Sequence, residues 1–151
     1  MKQMSFMALI GCSVLLAGCA SQSEVVFCPT ISAPEEGARS FVRSDNTKQI
    51  FDIRLNGVNA VCTQHNSGGT MVALSVGLKI KRSLAEGEAN DVIAVPMMSA
   101  IVDANQTVID NQEFGYRVGF DKGSDRKFPV AEIEQLVPAD ARLVISLRPA
   151  Y

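Results

Sequence analysis

This sequence contains no tryptophan and a single histidine, His65. A Ser-His-Asp hydrolase would need that one imidazole as its general base, and no Gly-x-Ser-x-Gly turn is present to supply a nucleophile. Glycosidase chemistry needs two facing carboxylates, and the sixteen Asp and Glu residues single out no such pair. We therefore predict that the protein is not an enzyme and has no cofactor, and we expect His65 to lie exposed on a turn.

A basic block is also missing. The chain has 14 Lys and Arg against 16 Asp and Glu, a net charge of −2, which argues against nucleic acid as a partner. The clustered cations Lys79, Lys81 and Arg82 are expected at a solvated strand end. Asp121 and Asp125 could face a cation, but the oxygen shell that calcium requires is not visible, so we expect a solvated hairpin tip.

The N-terminus has the order of a secretory signal. Lys2 supplies a positive charge, and residues 4–16 form an apolar run shorter than the roughly 20 residues that span a bilayer. Leu16-Ala17-Gly18-Cys19 follows and resembles the lipobox of bacterial lipoproteins. The alternative is an ordinary secretory signal followed by a coincidental cysteine.

The resemblance implies cleavage before Cys19, a diacylglycerol thioether on that cysteine, and a third acyl chain on its amine. Two or three chains hold a protein permanently on a membrane, because each buried methylene contributes about 0.8 kcal/mol. The family's sorting rule retains lipoproteins at the inner membrane through Asp at the next position. Ala20 therefore implies the outer membrane, on its periplasmic face, rather than the inner membrane.

Three segments follow from this interpretation: a lipoprotein signal peptide at 1–18, a lipidated tether at 19–27 and a folded domain at 28–151. Residues 20–27 reach at most about 28 Å when fully extended, so the domain is expected to sit close to the membrane. The membrane is thus the one partner that the sequence implies directly, through Cys19.

Cysteine usage indicates one disulfide. Cys12 leaves with the signal peptide and Cys19 takes the lipid, so Cys28 and Cys62 remain in an oxidising compartment. The alternative is a zinc site, suggested by the spacing of Cys62 and His65. It would need two more ligands where only Cys28 is left, so we predict no metal.

Alternation of apolar and polar residues predicts strands along most of the domain. They cover a short run at 40–43, then 49–62, 71–81, 92–102, 108–120, a segment at 128–136 that is irregular near 131, and 143–147. Pro96 interrupts one of them, which predicts an edge strand or a bulge there. Short strands separated by turns about every ten residues indicate an all-β fold: a single antiparallel β-sandwich of about six or seven strands.

Residues 136–147 look like the E–F corner of fibronectin type III and immunoglobulin domains, with Arg142 where those domains usually place a tyrosine. The wider arrangement, from Cys28-Pro29 through Cys62 to the Pro96 strand, is similar to small uncharacterised lipoproteins of alphaproteobacteria. That resemblance carries no established activity to this chain.

These observations favour a non-catalytic binding or accessory module of the cell envelope that acts by protein contact. An edge strand at 92–102 could pair with a partner strand, and Met97 or Met98 would suit an adaptable surface unless both pack in the core. Two alternatives remain open at this point. One is a ligand-binding protein or enzyme with a pocket between the sheets, and the other is a structural or surface-antigen lipoprotein.

Overall fold

Strands dominate the computed structural model, which describes residues 26–83 and 89–148. Cys19, the signal peptide and most of the tether lie outside the described residues. The strands are β1 Ile31–Ser32, β2 Arg39–Arg43, β3 Ile50–Gln64, β4 Thr70–Arg82, β5 Asp91–Val102, β6 Val108–Phe120, β7 Arg126–Lys127, β8 Val130–Val137 and β9 Arg142–Leu147. A single-turn 3-10 helix covers Glu35–Gly37.

Two sheets face each other, as the alternation predicted. One has the order β1-β9-β5-β6, and the other has the order β2-β3-β4-β7 with β8 also beside β4. Every pairing is antiparallel except that of β1 with β9. The seven strands of five or more residues confirm the predicted all-β sandwich.

The neighbours of four strands are arranged like the central strands of an immunoglobulin domain. Strands β4 and β8 are neighbours in one sheet while β5 and β9 are neighbours in the other, which is the relation of strands B, E, C and F. The turn after β8 crosses between the sheets at 138–141, where the E–F corner was expected. Arg142, at the start of β9, donates a hydrogen bond at 2.7 Å to Oε1 of Gln106, which lies in the turn between β5 and β6.

The core lies between the sheets and is built from alternate residues of each strand. Phe51 of β3 meets Phe120 of β6 edge-on, with ring centroids 5.0 Å apart, and so links the two sheets directly. The largest fully buried side chains are aliphatic or aromatic: Phe51, Phe120, Ile53, Leu74, Leu78, Ile80, Met97, Leu143, Ile145 and Leu147. Met97 therefore packs in the core, while Met98 is half-buried.

The edge prediction for the Pro96 strand is wrong. β5 is an interior strand with β6 on one side and β9 on the other, and its register shift lies between Ile101 and Val102 rather than at Pro96. The proline is tolerated because the paired residues of β9 end opposite Met97. Beyond that point the N–H of Arg148 donates to the Pro96 carbonyl at 3.0 Å.

The predicted disulfide is present in the structure. Cys28 is bonded to Cys62 of β3, with their Cα atoms 5.3 Å apart. Cys62 is buried and lies opposite Val72 of β4. The segment that leads from the tether is therefore fastened to the end of the sandwich that carries the β3–β4 turn.

Candidate binding face

The outer surface of the five-stranded sheet carries a cluster of cations from four different strands. Alternation on β4 turns Leu78 and Ile80 into the core and leaves the residues between and after them outside. The register then places outward cations beside one another, and we call this surface the basic face: Arg39 of β2, Arg54 of β3, Lys79 and Lys81 of β4, and Arg126 of β7.

The spacing of this cluster works against the stability of the fold. Arg54 lies directly opposite both Arg39 and Lys79, and Lys81 lies opposite Arg126. Neighbouring strands are about 4.8 Å apart, and like charges directly opposite each other destabilise a sheet. The stability of the sheet therefore does not account for this arrangement.

Asp52 lies within the basic face between two of its arginines, while Asp125 faces Arg126 at the margin. Arg39 donates two hydrogen bonds to Asp52, from Nε to Oδ1 at 2.9 Å and from Nη2 to Oδ2 at 3.0 Å. Arg54 adds contacts at 3.4 and 3.1 Å. The hydrogen bonds from Arg39 lower the pKa of Asp52 below its ordinary 3.8; partial burial opposes this shift, and Arg54 reinforces it. One negative charge thus orients two arginines and leaves the face strongly positive.

An aromatic side chain borders the cations. The Arg39 guanidinium stacks over the ring of Phe41, 4.6 Å from its centroid. Phe41 keeps about half of its surface in solvent. The basic face therefore offers both charge and apolar area at its β2 margin.

A depression of about 260 Å³ adjoins the basic face on the Gly77 side. The β3–β4 register shifts between Leu55 and Val58, where Gly57 adopts a φ of 101°. A Cβ on Gly77 would lie 2.7 Å from the Asn56 carbonyl oxygen, so only glycine allows this close approach. The floor of the depression is thus open backbone.

Apolar side chains form the far wall of this depression. Phe128 is 58% exposed and Val130 is 49% exposed, with Pro129 between them. The structure turns Ala131, Ile133, Gln135 and Val137 inward, which leaves Phe128 and Val130 at the surface.

The charge on this sheet is divided along β4. Glu132 and Glu134 of β8 lie on the same outer surface, opposite Ser75 and Ala73. Lys79 and Lys81 are seven and nine residues from Val72, the partner of Cys62, which corresponds to roughly 23–30 Å along the strand. The basic face is therefore at the end of the sandwich remote from the disulfide.

Arg82 departs from the expectation that it would be solvated beside Lys79 and Lys81. Lys81 is exposed and Lys79 is half-exposed, but Arg82 is only 4% exposed. Its Nε donates to the Ser124 carbonyl and its Nη2 to the Asp121 carbonyl, each at 2.8 Å. Strand alternation turns residue 82 inward, where its guanidinium holds the 121–125 loop instead of contributing to the basic face.

The remaining sequence candidates are engaged locally. His65 is half-buried rather than exposed, and its Nδ1 accepts the Ser67 N–H at 3.3 Å within the same turn. Asp121 pairs with Lys127 at 3.2 Å, and Asp125 faces Arg126 at 3.9 Å. Across 26–83 and 89–148, no three His, Cys, Asp or Glu side chains come together as a metal site. No helix within these ranges is long and apolar enough to cross a membrane.

No family model, no curated protein and no solved structure matches this chain. The assignment of a role to the basic face therefore depends on its own charge and shape. Sequence reasoning identified only Lys79 and Lys81 in it, since the other cations come from positions far apart in the chain. Each of those cations does occupy an outward position of a strand pattern, and that is the signal that could have found them.

Proposed function

We propose that this protein is a lipid-anchored accessory module of the cell envelope that binds an acidic segment of another envelope protein through its basic face. The observation that carries this proposal is the grouping of five cations on one sheet surface, two of them bound to Asp52, beside an open apolar depression. The role is non-catalytic, and the partner is recognised by charge and one apolar contact.

The anchor supports this role by setting orientation. Cys28 follows the lipobox cysteine, Cys19, by nine residues, and the disulfide places Cys28 at one end of the sandwich. A tether of at most about 28 Å keeps that end near the membrane. The basic face, roughly 23–30 Å further along β4, is then held out toward periplasmic partners. Ala20 supports the outer membrane as the location.

The chemistry of the face suggests what the partner segment contains. The guanidinium group of arginine binds carboxylates through two parallel hydrogen bonds, as that of Arg39 does with Asp52. Exposed ion pairs contribute only about 0–1 kcal/mol each, while the summed positive field accelerates encounter. A bulky apolar residue seated between Phe128 and the Gly77 floor would supply further affinity. We therefore expect clustered Asp or Glu residues next to one large apolar residue.

A ligand pocket between the sheets has less support. That space is filled by packed side chains such as Phe51, Phe120 and Met97. Three depressions in the described part of the chain open on outer surfaces instead, beside Gly77, beside Lys79 and beside Pro96. The interior therefore favours a protein that works through its surface.

Crosslinking in living cells tests the partner. A photo-crosslinking amino acid replaces Phe128 in the full-length, lipidated protein, and adducts are compared between two doubly substituted backgrounds. Arg54→Glu with Lys79→Glu reverses two of the five cations and removes the net positive charge of the basic face. Lys48→Glu with Lys122→Glu makes the same charge change at exposed positions elsewhere.

We expect a defined protein adduct that disappears only in the first background and whose mapped segment is acidic. Adducts that survive the loss of the net positive charge of the basic face, or adducts to lipid alone, would contradict the proposal.

Localisation is tested separately. Membranes are separated by density for the full chain and for Cys19→Ser. We expect the full chain in the outer-membrane fraction and the Cys19→Ser protein outside both membrane fractions. Recovery of Cys19→Ser with the outer membrane would show that the lipid is not the anchor.

A further inference from the structure

Strand β6 forms an open edge of the four-stranded sheet. It is 13 residues long, and within the described ranges it pairs with β5 alone. It contains no proline and no lysine, the residues that usually protect such edges from pairing with another chain. A long edge without these devices is a template for a further strand.

The hydrogen bonds of Pro96 show which groups face that edge. The Pro96 carbonyl accepts from Arg148 on the β9 side of β5, so the Pro96–Gly115 pair does not exchange hydrogen bonds within the β5–β6 ladder. In an antiparallel ladder such residues turn their N–H and C=O outward on the opposite side. The backbone N–H and C=O groups of Gly115 therefore face the open edge, and so do those of Glu113 and Arg117, two residues to either side.

We propose that the occupant of this edge is β6 of a second copy of the chain, paired antiparallel about Gly115. In that register Glu113 of each copy lies opposite Arg117 of the other, and Phe114 lies opposite Tyr116. The opposite charges and the aromatic pairs each occur twice, and both kinds of cross-strand pair are favourable. This inference is independent of the proposed function, which uses the other sheet.

Other registers lose this complementarity. Centring the pair on Glu113 or on Arg117 sets like charges opposite each other, which is unfavourable. Phe114 and Tyr116 are half-buried in the single copy and gain contact only from a strand laid along the edge. Glu113 also pairs with Arg148 in its own copy, so its carboxylate would be shared between two arginines.

A single cysteine tests the two-fold centre in the full-length, lipidated protein in cells. Gly115→Cys is compared with Gly119→Cys, another glycine of the same strand. A Cβ on Gly115 meets only the Ala94 Cβ at 3.8 Å, and one on Gly119 meets nothing within 4 Å, so the structure has room for both.

Across the two-fold, the two residues at position 115 would have Cα atoms about 5.5 Å apart, within the roughly 4.4–6.8 Å that a disulfide spans. The two residues at position 119 would be about 27 Å apart. We expect a covalent dimer on non-reducing gels from Gly115→Cys and not from Gly119→Cys. Equal dimer from both variants, dimer from neither, or a Gly115→Cys adduct to a different protein would overturn the inference.

Charge exchange tests the register. In the Gly115→Cys background, Glu113→Arg or Arg117→Glu alone sets like charges opposite each other twice, and we expect covalent dimer to fall about fivefold. Both substitutions together restore opposite charges and should restore the dimer. The double variant still lacks the pair between Glu113 and Arg148, so restoration cannot come from that contact. Failure of the double variant to recover would rule out this register.

Discussion

The hydroxyl of Ser40 donates a hydrogen bond to the backbone carbonyl of Arg148 at 2.5 Å, and this contact joins the two sheets where a proline ends a ladder. Pro96 accepts the Arg148 N–H but has no N–H to return. Ser40, buried on β2 of the other sheet, supplies the missing donor. The structure thereby satisfies a carbonyl that an interior proline would otherwise leave without a partner.

Replacing Ser40 with alanine is expected to lower the free energy of unfolding by about 1–2 kcal/mol, because a part-buried carbonyl loses its donor. Urea unfolding monitored by circular dichroism measures the change. Ser75→Ala is the matched control, since its Oγ makes only an exposed 3.3 Å contact with Glu132. Equal losses of unfolding free energy in the two variants would show that the hydrogen bond from Ser40 to Arg148 stabilises the fold no more than the exposed contact of Ser75.

Breaking the disulfide should cost more than any single hydrogen bond. Cys28 and Cys62 are 34 residues apart in sequence, and the chain-entropy relation for such a loop gives roughly 3.8 kcal/mol. We expect Cys28→Ser with Cys62→Ser to lower the urea midpoint strongly, and added reductant to shift the wild type toward the same value. A double variant as stable as the wild type would contradict this account.

Asp91 couples the β2–β3 turn to β5 and makes stability depend on pH. Burial alone would raise the pKa of Asp91. Hydrogen bonds from Thr47 at 2.5 Å, Ser44 at 2.7 Å and the Val92 N–H at 2.8 Å, together with the charge of Arg82, outweigh that effect. The pKa therefore lies below its ordinary 3.8. Its stabilising effect is fully present above pH 3.8 and is lost as pH falls through the folded-state value.

Asp91→Asn should therefore be less stable than the wild type at neutral pH and should lose less further stability on acidification from pH 4 to pH 2. Urea midpoints measured across that range test this. Asp52, whose pKa is also lowered, remains in the variant, so the slope should decrease without vanishing. Parallel pH profiles for the two proteins would show that Asp91 is not responsible.

Gln135 is a polar side chain on the core face of β8. It is 3% exposed, and neither its Oε1 nor its Nε2 has a hydrogen-bond partner among the described residues. An unpaired buried amide costs about 1–3 kcal/mol, so Gln135→Met should raise the free energy of unfolding by about 1 kcal/mol. Gln112→Met, at an exposed position, is the control and should change little. A less stable Gln135→Met protein would indicate that the amide is satisfied in solution.

The strands and the disulfide were predictable because their signals are local or nearly so. Alternation over Met71–Lys81 depends only on which face of one strand is buried, and the structure buries the predicted face. The pairing of Cys28 with Cys62 was predicted by counting the cysteines that the predicted signal peptide and lipid would leave, and the structure confirms it. The lipid on Cys19 stays a prediction of the same kind, read from four adjacent residues.

Strand neighbours were not predictable in the same way. Pro96 suggested an edge strand, yet β5 is interior and β6 is the edge, because a proline at the end of a partner ladder is as well tolerated as one at an edge. The inward side of β8 is likewise a result of the structure, which buries Gln135 and leaves Phe128 exposed, since hydrophobicity along one strand does not decide which face a neighbouring sheet covers.

The sequence by itself therefore determined the disulfide and the all-β character of this protein and predicted an export signal and a lipid anchor, each of which depends on residues close in the chain or on a simple count. Only the tertiary structure decided where its surfaces lie. Arg39, Arg54 and Lys79 become neighbours through strand pairing, and Gly115 faces an open edge because no strand of the described chain pairs beyond β6. Both results depend on non-local hydrogen bonds, which alternation along one strand cannot reveal.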